Sequence, residues 1–211
     1  MGPNVADKLT PDVTPEPKAP SNDAVISIAL EPTAAHGVDE DGVLIERFVR
    51  GERAAFDRLY RLYYDKVYSI ARNILLNSDE AQDATQEVFT LVFRNLHRFD
   101  RRSRFSTWLF RIAVNRSIQQ ARRTKNRHRE TELHDAATLE APIQMDTPDP
   151  RIRHVLRMLS PQDRAILTLF YWEELNLQEI ADGLGCTPNA AKTRLYRARE
   201  RFKALYEGTN E

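Results

Sequence analysis

From Gly42 to Leu205 the large apolar residues return every three or four positions. Nowhere do they settle into the every-second-residue alternation of a strand, so the ordered body of the chain is predicted to be all-α. Val43, Leu44, Phe48 and Val49 form a short first stripe that stops at Gly51. Phe56, Leu59, Tyr60, Tyr63, Val67, Ile70, Ala71 and Ile74 form a longer one. Ala81, Ala84, Val88, Leu91, Val92 and Leu96 mark a third helix, opened by Asn77 and Glu80 as a capping box. The fourth carries Trp108, Leu109, Ile112, Ala113 and Ile118.

Between the third and fourth stripes lies Phe99–Phe105, a loop in which Arg101, Arg102 and Arg104 crowd together just after Arg98. The helix that follows presents Arg111, Asn115, Gln119, Arg122 and Arg123 off its apolar stripe. Arginines attract phosphate whatever the sequence, and amides can hydrogen-bond base edges. Phe105, Trp108 and Phe110 read first as packing residues and second as stacking platforms for unpaired bases. One face of the third helix gathers Asp79, Glu80, Asp83 and Glu87 beside Gln82 and Gln86. The first two acids compensate the helix dipole, while Asp83, Gln86 and Glu87 lie deeper and offer a patch to a basic partner.

A net charge of zero would argue against a nucleic-acid binder if it were evenly spread. It is not: residues 46–129 hold 19 Lys and Arg against 9 Asp and Glu, and residues 130–149 hold 6 acids and no Lys or Arg. The acidic run, with Pro142, Pro148 and Pro150, reads as a flexible linker between two small helical domains. Residues 1–40 contain six of the eleven prolines and few large apolar groups, so the segment is expected to be disordered apart from a short ordered piece at Ala24–Leu30.

Beyond the linker, Ser160, Pro161 and Asp163 supply an N-cap, a first-turn proline and an acid at the third helical position. That helix carries Ile166, Leu167, Leu169 and Phe170. Asn176 and Glu179 form a second capping box before Leu177, Ile180, Ala181 and Leu184. After Gly183-Leu184-Gly185-Cys186, Thr187 and Pro188 open a long helix buried through Ala191, Leu195, Ala198, Phe202 and Leu205. A short helix, a glycine turn and a longer basic helix have the layout of a helix-turn-helix, whose second helix enters the major groove. Asn189, Lys192, Thr193, Tyr196 and Arg197, with Arg194 and Arg199 flanking and Thr187 at the start of the helix, are then placed toward DNA.

Cys186 is the one cysteine, so no intramolecular disulfide or cysteine-based zinc site can form. The five histidines show no metal-ligand spacing, and no cofactor or metal is expected. No apolar run approaches the roughly 20 residues of a membrane span, and the chain is read as cytoplasmic.

Several stretches in order resemble the extracytoplasmic-function, or group IV, bacterial RNA polymerase sigma factors. A-F-D-R-L-Y-R-L-Y-Y-D-K-V-Y at Ala55–Tyr68, D-A-T-Q-E-V-F at Asp83–Phe89 and R-F-S-T-W-L-F-R-I-A-V-N at Arg104–Asn115 are similar to that family's region 2. L-S-P-Q-D-R-A-I-L at Leu159–Leu167 and E-I-A-D-G-L-G-C-T-P-N-A-A-K-T-R-L-Y-R-A-R at Glu179–Arg199 are similar to its region 4. The resemblance implies an extension at 1–41, region 2 at 42–127, a linker at 128–149 and region 4 at 150–211.

It further implies that Asp83, Gln86 and Glu87 dock on the clamp helices of core RNA polymerase, with the flap of its large subunits a further contact of the chain. The loop Phe99, Asp100, Arg101, Arg102, Ser103, Arg104 and Phe105, with Arg111, Asn115, Gln119 and Arg122, would hold the melted minus-10 strand. Lys192, Arg194 and Arg197, with their neighbours on that helix, would address the minus-35 duplex. The acidic linker would pass near the active-site channel, an anti-sigma factor is a candidate partner, and the free chain is expected to be a monomer. Such a protein has no catalytic activity of its own. The remaining alternative is a free-standing DNA-binding regulator that uses only the helix-turn-helix.

Overall fold

The computed structural model describes residues 40–131 and 150–208, and within them the side chains of 40–127 and 151–208. Residues 1–39, including Ala24–Leu30, and most of the acidic run lie outside the described residues. Among the described residues every regular element is a helix. They are α1 (Glu40–Val49), α2 (Arg53–Leu75), α3 (Ser78–Asn95), a 3-10 turn at Leu96–Arg98, α4 (Phe105–Thr131), α5 (Pro150–Met158), α6 (Pro161–Tyr171), α7 (Leu177–Leu184) and α8 (Pro188–Gly208).

Local signals start four of these helices. Ser160 Oγ accepts from Asp163 N at 3.1 Å with Pro161 in the first turn. The Asn176–Glu179 box is complete, with Asn176 Oδ1 accepting from Glu179 N at 3.0 Å and Glu179 Oε2 from Asn176 N at 3.1 Å. Thr187 Oγ1 accepts from Ala190 N at 3.3 Å. At α3 only half of the expected box forms. Asn77 Oδ1 accepts from Glu80 N, but the Glu80 carboxylate accepts at 2.7 Å from Thr124 Oγ1 of α4 and does not turn back to the cap.

Helices α1 to α4 form a bundle around Leu59, Val67, Ile70, Ile74, Val88, Val92, Leu96 and Leu109, all at most 1% exposed. Each such side chain stabilises the fold by about 1.5–3 kcal/mol relative to an exposed position. On α1 the buried side chains are Leu44 and Ile45, while Val43 and Val49 are exposed, contrary to the first stripe. A helix of 10 residues crossing α2 makes one contact patch, and Leu44 and Ile45 fill it. Two boundaries also move. Glu40 and Asp41 belong to α1, where Arg58 Nη2 and Tyr63 Oη donate to them at 2.7 and 2.6 Å, and α4 runs on to Thr131 through the expected start of the linker.

In the second group α6 is the centre. Asp163 through Leu169 are seven consecutive buried residues, the mark of a helix surrounded on every side. It packs on α7 and α8, and also on α2 and α4. Helix α7 in turn lies against α4. The two groups that the sequence reads as separate domains therefore share one contiguous core.

Candidate nucleic-acid interface

The loop after α3 is built on a cluster of rings. Phe99 meets Phe105 edge-on at 5.8 Å and Trp108 at 5.4 Å, and Phe105 meets Tyr63 of α2 at 5.3 Å. Phe105 is only 4% exposed, which corrects its reading as a base contact: it is the floor under the loop. Arg101 takes φ +57, in the left-handed region, and its guanidinium is fixed to α1 by donating to Glu46 Oε1 at 2.9 Å and Gly42 O at 3.3 Å. Arg102 N donates to Asp100 Oδ1 at 3.2 Å, closing a tight turn, and the Arg102 side chain pairs with the same carboxylate at 3.1 Å. Arg104 Nη1 lies 3.2 Å from Glu179 Oε1 on α7. Arg101, Arg102 and Arg104 are thus each matched to an oxygen.

Along α4, Arg111, Asn115, Gln119 and Arg122 are exposed, at spacings of four, four and three. They make one polar line about 16 Å long on the helix surface. Arg116 lies beside it, donating to Gln119 Oε1 at 3.2 Å and pairing with Glu87 of α3 at 2.9 Å. The Gln119 oxygen thereby accepts one bond, and the residue is exposed.

In the second group, Gly185 ends α7 at φ +62, its N–H directed to Ala181 O and Asp182 O. Thr187, Asn189, Lys192, Thr193, Arg194, Tyr196 and Arg197 are exposed on the turn and the first half of α8, with Tyr196 63% exposed. Ala191, Leu195 and Ala198 anchor the opposite face. Farther along, the Arg199 guanidinium sits 4.7 Å over Phe170, and Arg201 pairs with Asp163. These arginines bind α8 to α6.

The Sigma-70 region 2 family model matches residues 59–127, and the Sigma-70 region 4 model matches residues 150–202. The RNA polymerase sigma-H factor of Pseudomonas aeruginosa is 31% identical over 79% of this chain and 94% of its own length. The ECF RNA polymerase sigma factor SigW of Bacillus subtilis is 31% identical over 75% of this chain and 92% of its own. The chain belongs to the extracytoplasmic-function RNA polymerase sigma factors. The fold of this sigma factor is similar to CnrH, solved in complex with the cytosolic domain of CnrY, with a TM-score of 0.62 at 23% identity over 80% of this chain and 98% of that one. It is also similar to RpoE of Bartonella quintana, solved with the anti-sigma factor NepR, with a TM-score of 0.58 at 24% identity over 72% of this chain and 96% of that one.

Within region 2 of this sigma factor, Asp83, Gln86 and Glu87 all lie on the exposed side of α3. Gln86 borders a shallow groove with Tyr60, Phe89, Thr90, Phe93 and Arg94. Phe93, 42% exposed and edge-on to Phe48 and Phe56 at 5.2 and 5.0 Å, was missed by sequence reading because it falls outside the inward-facing positions of its helix. A second missed residue is Arg164 in region 4. Buried, it donates to Leu156 O at 3.1 Å, Leu159 O at 2.8 Å and Ile74 O at 2.7 Å. Burial lowers its pKa to about 10, with the Asp163 charge opposing the shift. No sequence signal marks it, since its partners are backbone oxygens. Among the described residues no helix is long and apolar enough to cross a membrane.

Proposed function

We infer that this sigma factor binds core RNA polymerase in the cytoplasm, places it on a promoter and traps the opened strand, with no catalytic activity of its own. The observation that carries this reading is the pairing in one chain of two unlike nucleic-acid surfaces. One is the ring-floored loop with the line Arg111, Asn115, Gln119 and Arg122. The other is a helix-turn-helix exposing Asn189, Lys192, Thr193, Arg194, Tyr196 and Arg197. A repressor needs the second and has no use for the first.

Region 2 spans 40–131 in this reading and region 4 begins at 150, joined by the acidic stretch 132–149 running near the active-site channel. Asp83, Gln86 and Glu87 dock on the clamp helices, helped by the groove at Tyr60 and Phe93, and the flap of the large subunits is a further partner. Asn115 and Gln119 offer amides to an extruded minus-10 base, while Arg111 and Arg122 attract the flanking phosphates. Thr187, Asn189 and Thr193 take phosphate or base contacts at minus-35, Lys192, Arg194 and Arg197 address guanine edges or phosphates, and Tyr196 packs on the groove wall. An anti-sigma protein is the expected inhibitor, and the free chain is a monomer.

Run-off transcription with purified core polymerase on a supercoiled promoter library tests the reading. Specific transcripts that depend on this chain are expected. Their absence, together with tight operator binding without polymerase, would leave a free-standing helix-turn-helix regulator.

A further inference from the structure

We propose that the head of α4 is a binding site for a phosphate-type oxyanion, set in a cavity between the loop, α4 and the turn from α7 to α8. The cavity measures about 300 Å³, with Ser103, Thr107, Trp108 and Arg111 on one side and Asp182 and Cys186 on the other. Thr107 is 4% exposed and lines it, and the Thr107 hydroxyl makes no hydrogen bond among the described residues. Buried hydroxyls are normally paired, so one left open on a cavity marks a place for a ligand that accepts its hydrogen bond.

The backbone beside it offers more donors. Trp108 N is the first N–H of α4 to find a carbonyl, donating to Arg104 O at 3.2 Å. The N–H groups of Phe105, Ser106 and Thr107 have no acceptor among the described residues. They stand at the positive end of a helix of 27 residues whose first turn holds no acid.

Arg111 supplies the charge. It shares a face of α4 with Thr107, four positions earlier. Its guanidinium passes close to the turn, where a Cβ built on Gly185 would stand 3.2 Å from Nη2. Arg101, Arg102 and Arg104 each have a carboxylate partner, whereas Arg111 has none among the described residues. Three N–H groups, a hydroxyl and a forked guanidinium suit the several equivalent oxygens of a phosphate. On the opposite wall Asp182 Oδ1 accepts from Gln178 Nε2 at 3.1 Å, and its charge holds the affinity down. One consequence rests on the promoter reading: Arg111 is also assigned to strand phosphates, so a bound oxyanion competes with the minus-10 strand for it.

The test titrates the isotope-labelled full chain with potassium phosphate, using potassium chloride at matched ionic strength as reference. The amide resonances of Phe105, Ser106 and Thr107 should shift to saturation, with a midpoint of about 1 mM. Thr107→Val removes a hydroxyl that has no partner, so the thermal midpoint should hold while phosphate affinity falls about threefold to tenfold. Arg111→Gln should weaken binding about tenfold, and Asp182→Asn should tighten it about two- to fivefold. Adenosine monophosphate separates two sources of the same chemistry. Tighter binding than phosphate, with a shift of the Trp108 indole N–H, assigns the site to a nucleotide, and equal or weaker binding assigns it to free phosphate.

Absence of saturation by about 10 mM, shifts spread over the exposed cations, or equal affinity in Thr107→Val and wild type would overturn the proposal. The competition is read separately, as weaker binding of a labelled single strand when phosphate replaces chloride. A wild type that binds no single strand and yields no transcripts fails the promoter reading, and the titration still decides the anion site.

Discussion

The two surfaces proposed to face DNA carry similar charge in sequence and are in opposite states in the fold. In the loop, Arg101 is held by Glu46, Arg102 by Asp100 and Arg104 by Glu179. On α8, no ion pair among the described residues involves Lys192, Arg194 or Arg197. The difference matches the substrates proposed for them. Duplex DNA presents its phosphates and groove edges ready-made, so a rigid helix with free cations suffices. A single strand exists only after melting, and a loop whose cations are neutralised in advance does not compete for other polyanions before then.

Breaking the tie between the halves should have the largest effect. Arg164→Ala leaves the carbonyls of Ile74, Leu156 and Leu159 without their donor and should lower stability by about 3 kcal/mol in urea denaturation. Next comes the ready-made surface. Arg197→Ala should weaken minus-35 duplex binding by about 1–3 kcal/mol if it reads a base, and flatten the salt dependence if it touches phosphate. Binding titrations at several salt concentrations separate the two, and neither should change single-strand capture.

A pH effect is expected at the contact between halves. Burial raises the Glu173 carboxyl from 4.5 to about 7, partly offset by Lys66 of α2. The folded state holds this proton more tightly than the unfolded chain, so the contribution is complete below about pH 4.5 and is lost as pH rises through about 7. Glu173→Gln should flatten that slope and leave the protein more stable than wild type above pH 7 by on the order of 1–2 kcal/mol. Thermal melts across this range measure it. The smallest effect is expected from Glu46→Gln, which frees Arg101 from an exposed pair: stability should change by less than about 1 kcal/mol, with a faster single-strand on-rate in stopped flow.

What sequence could reveal divides along the same line. Ser160, Asn176 and Thr187 cap as their spacing foretells, because caps are local chemistry within one turn. The outward face of α8 follows from the periodicity of Ala191, Leu195 and Ala198. Glu80 left its expected box for Thr124, a partner 44 positions away, and Val43 and Val49 lost their places to Ile45 because a short helix is positioned by its neighbour. Periodicity shows that Ile180 and Ala181 are buried but not that part of their helix covers α4. The neutralised loop and the Arg164 bonds depend on tertiary placement throughout.

The central claim, two surfaces of which one seizes an opened strand, is tested most directly at Asn115. Permanganate footprinting of unpaired thymines, with core polymerase and promoter DNA, compares wild type and Asn115→Ala. Strong minus-10 reactivity with wild type, falling about tenfold or more in the variant while polymerase binding stays unchanged, is the predicted result. Equal reactivity in both proteins, or parallel loss of reactivity and polymerase binding, would contradict the account.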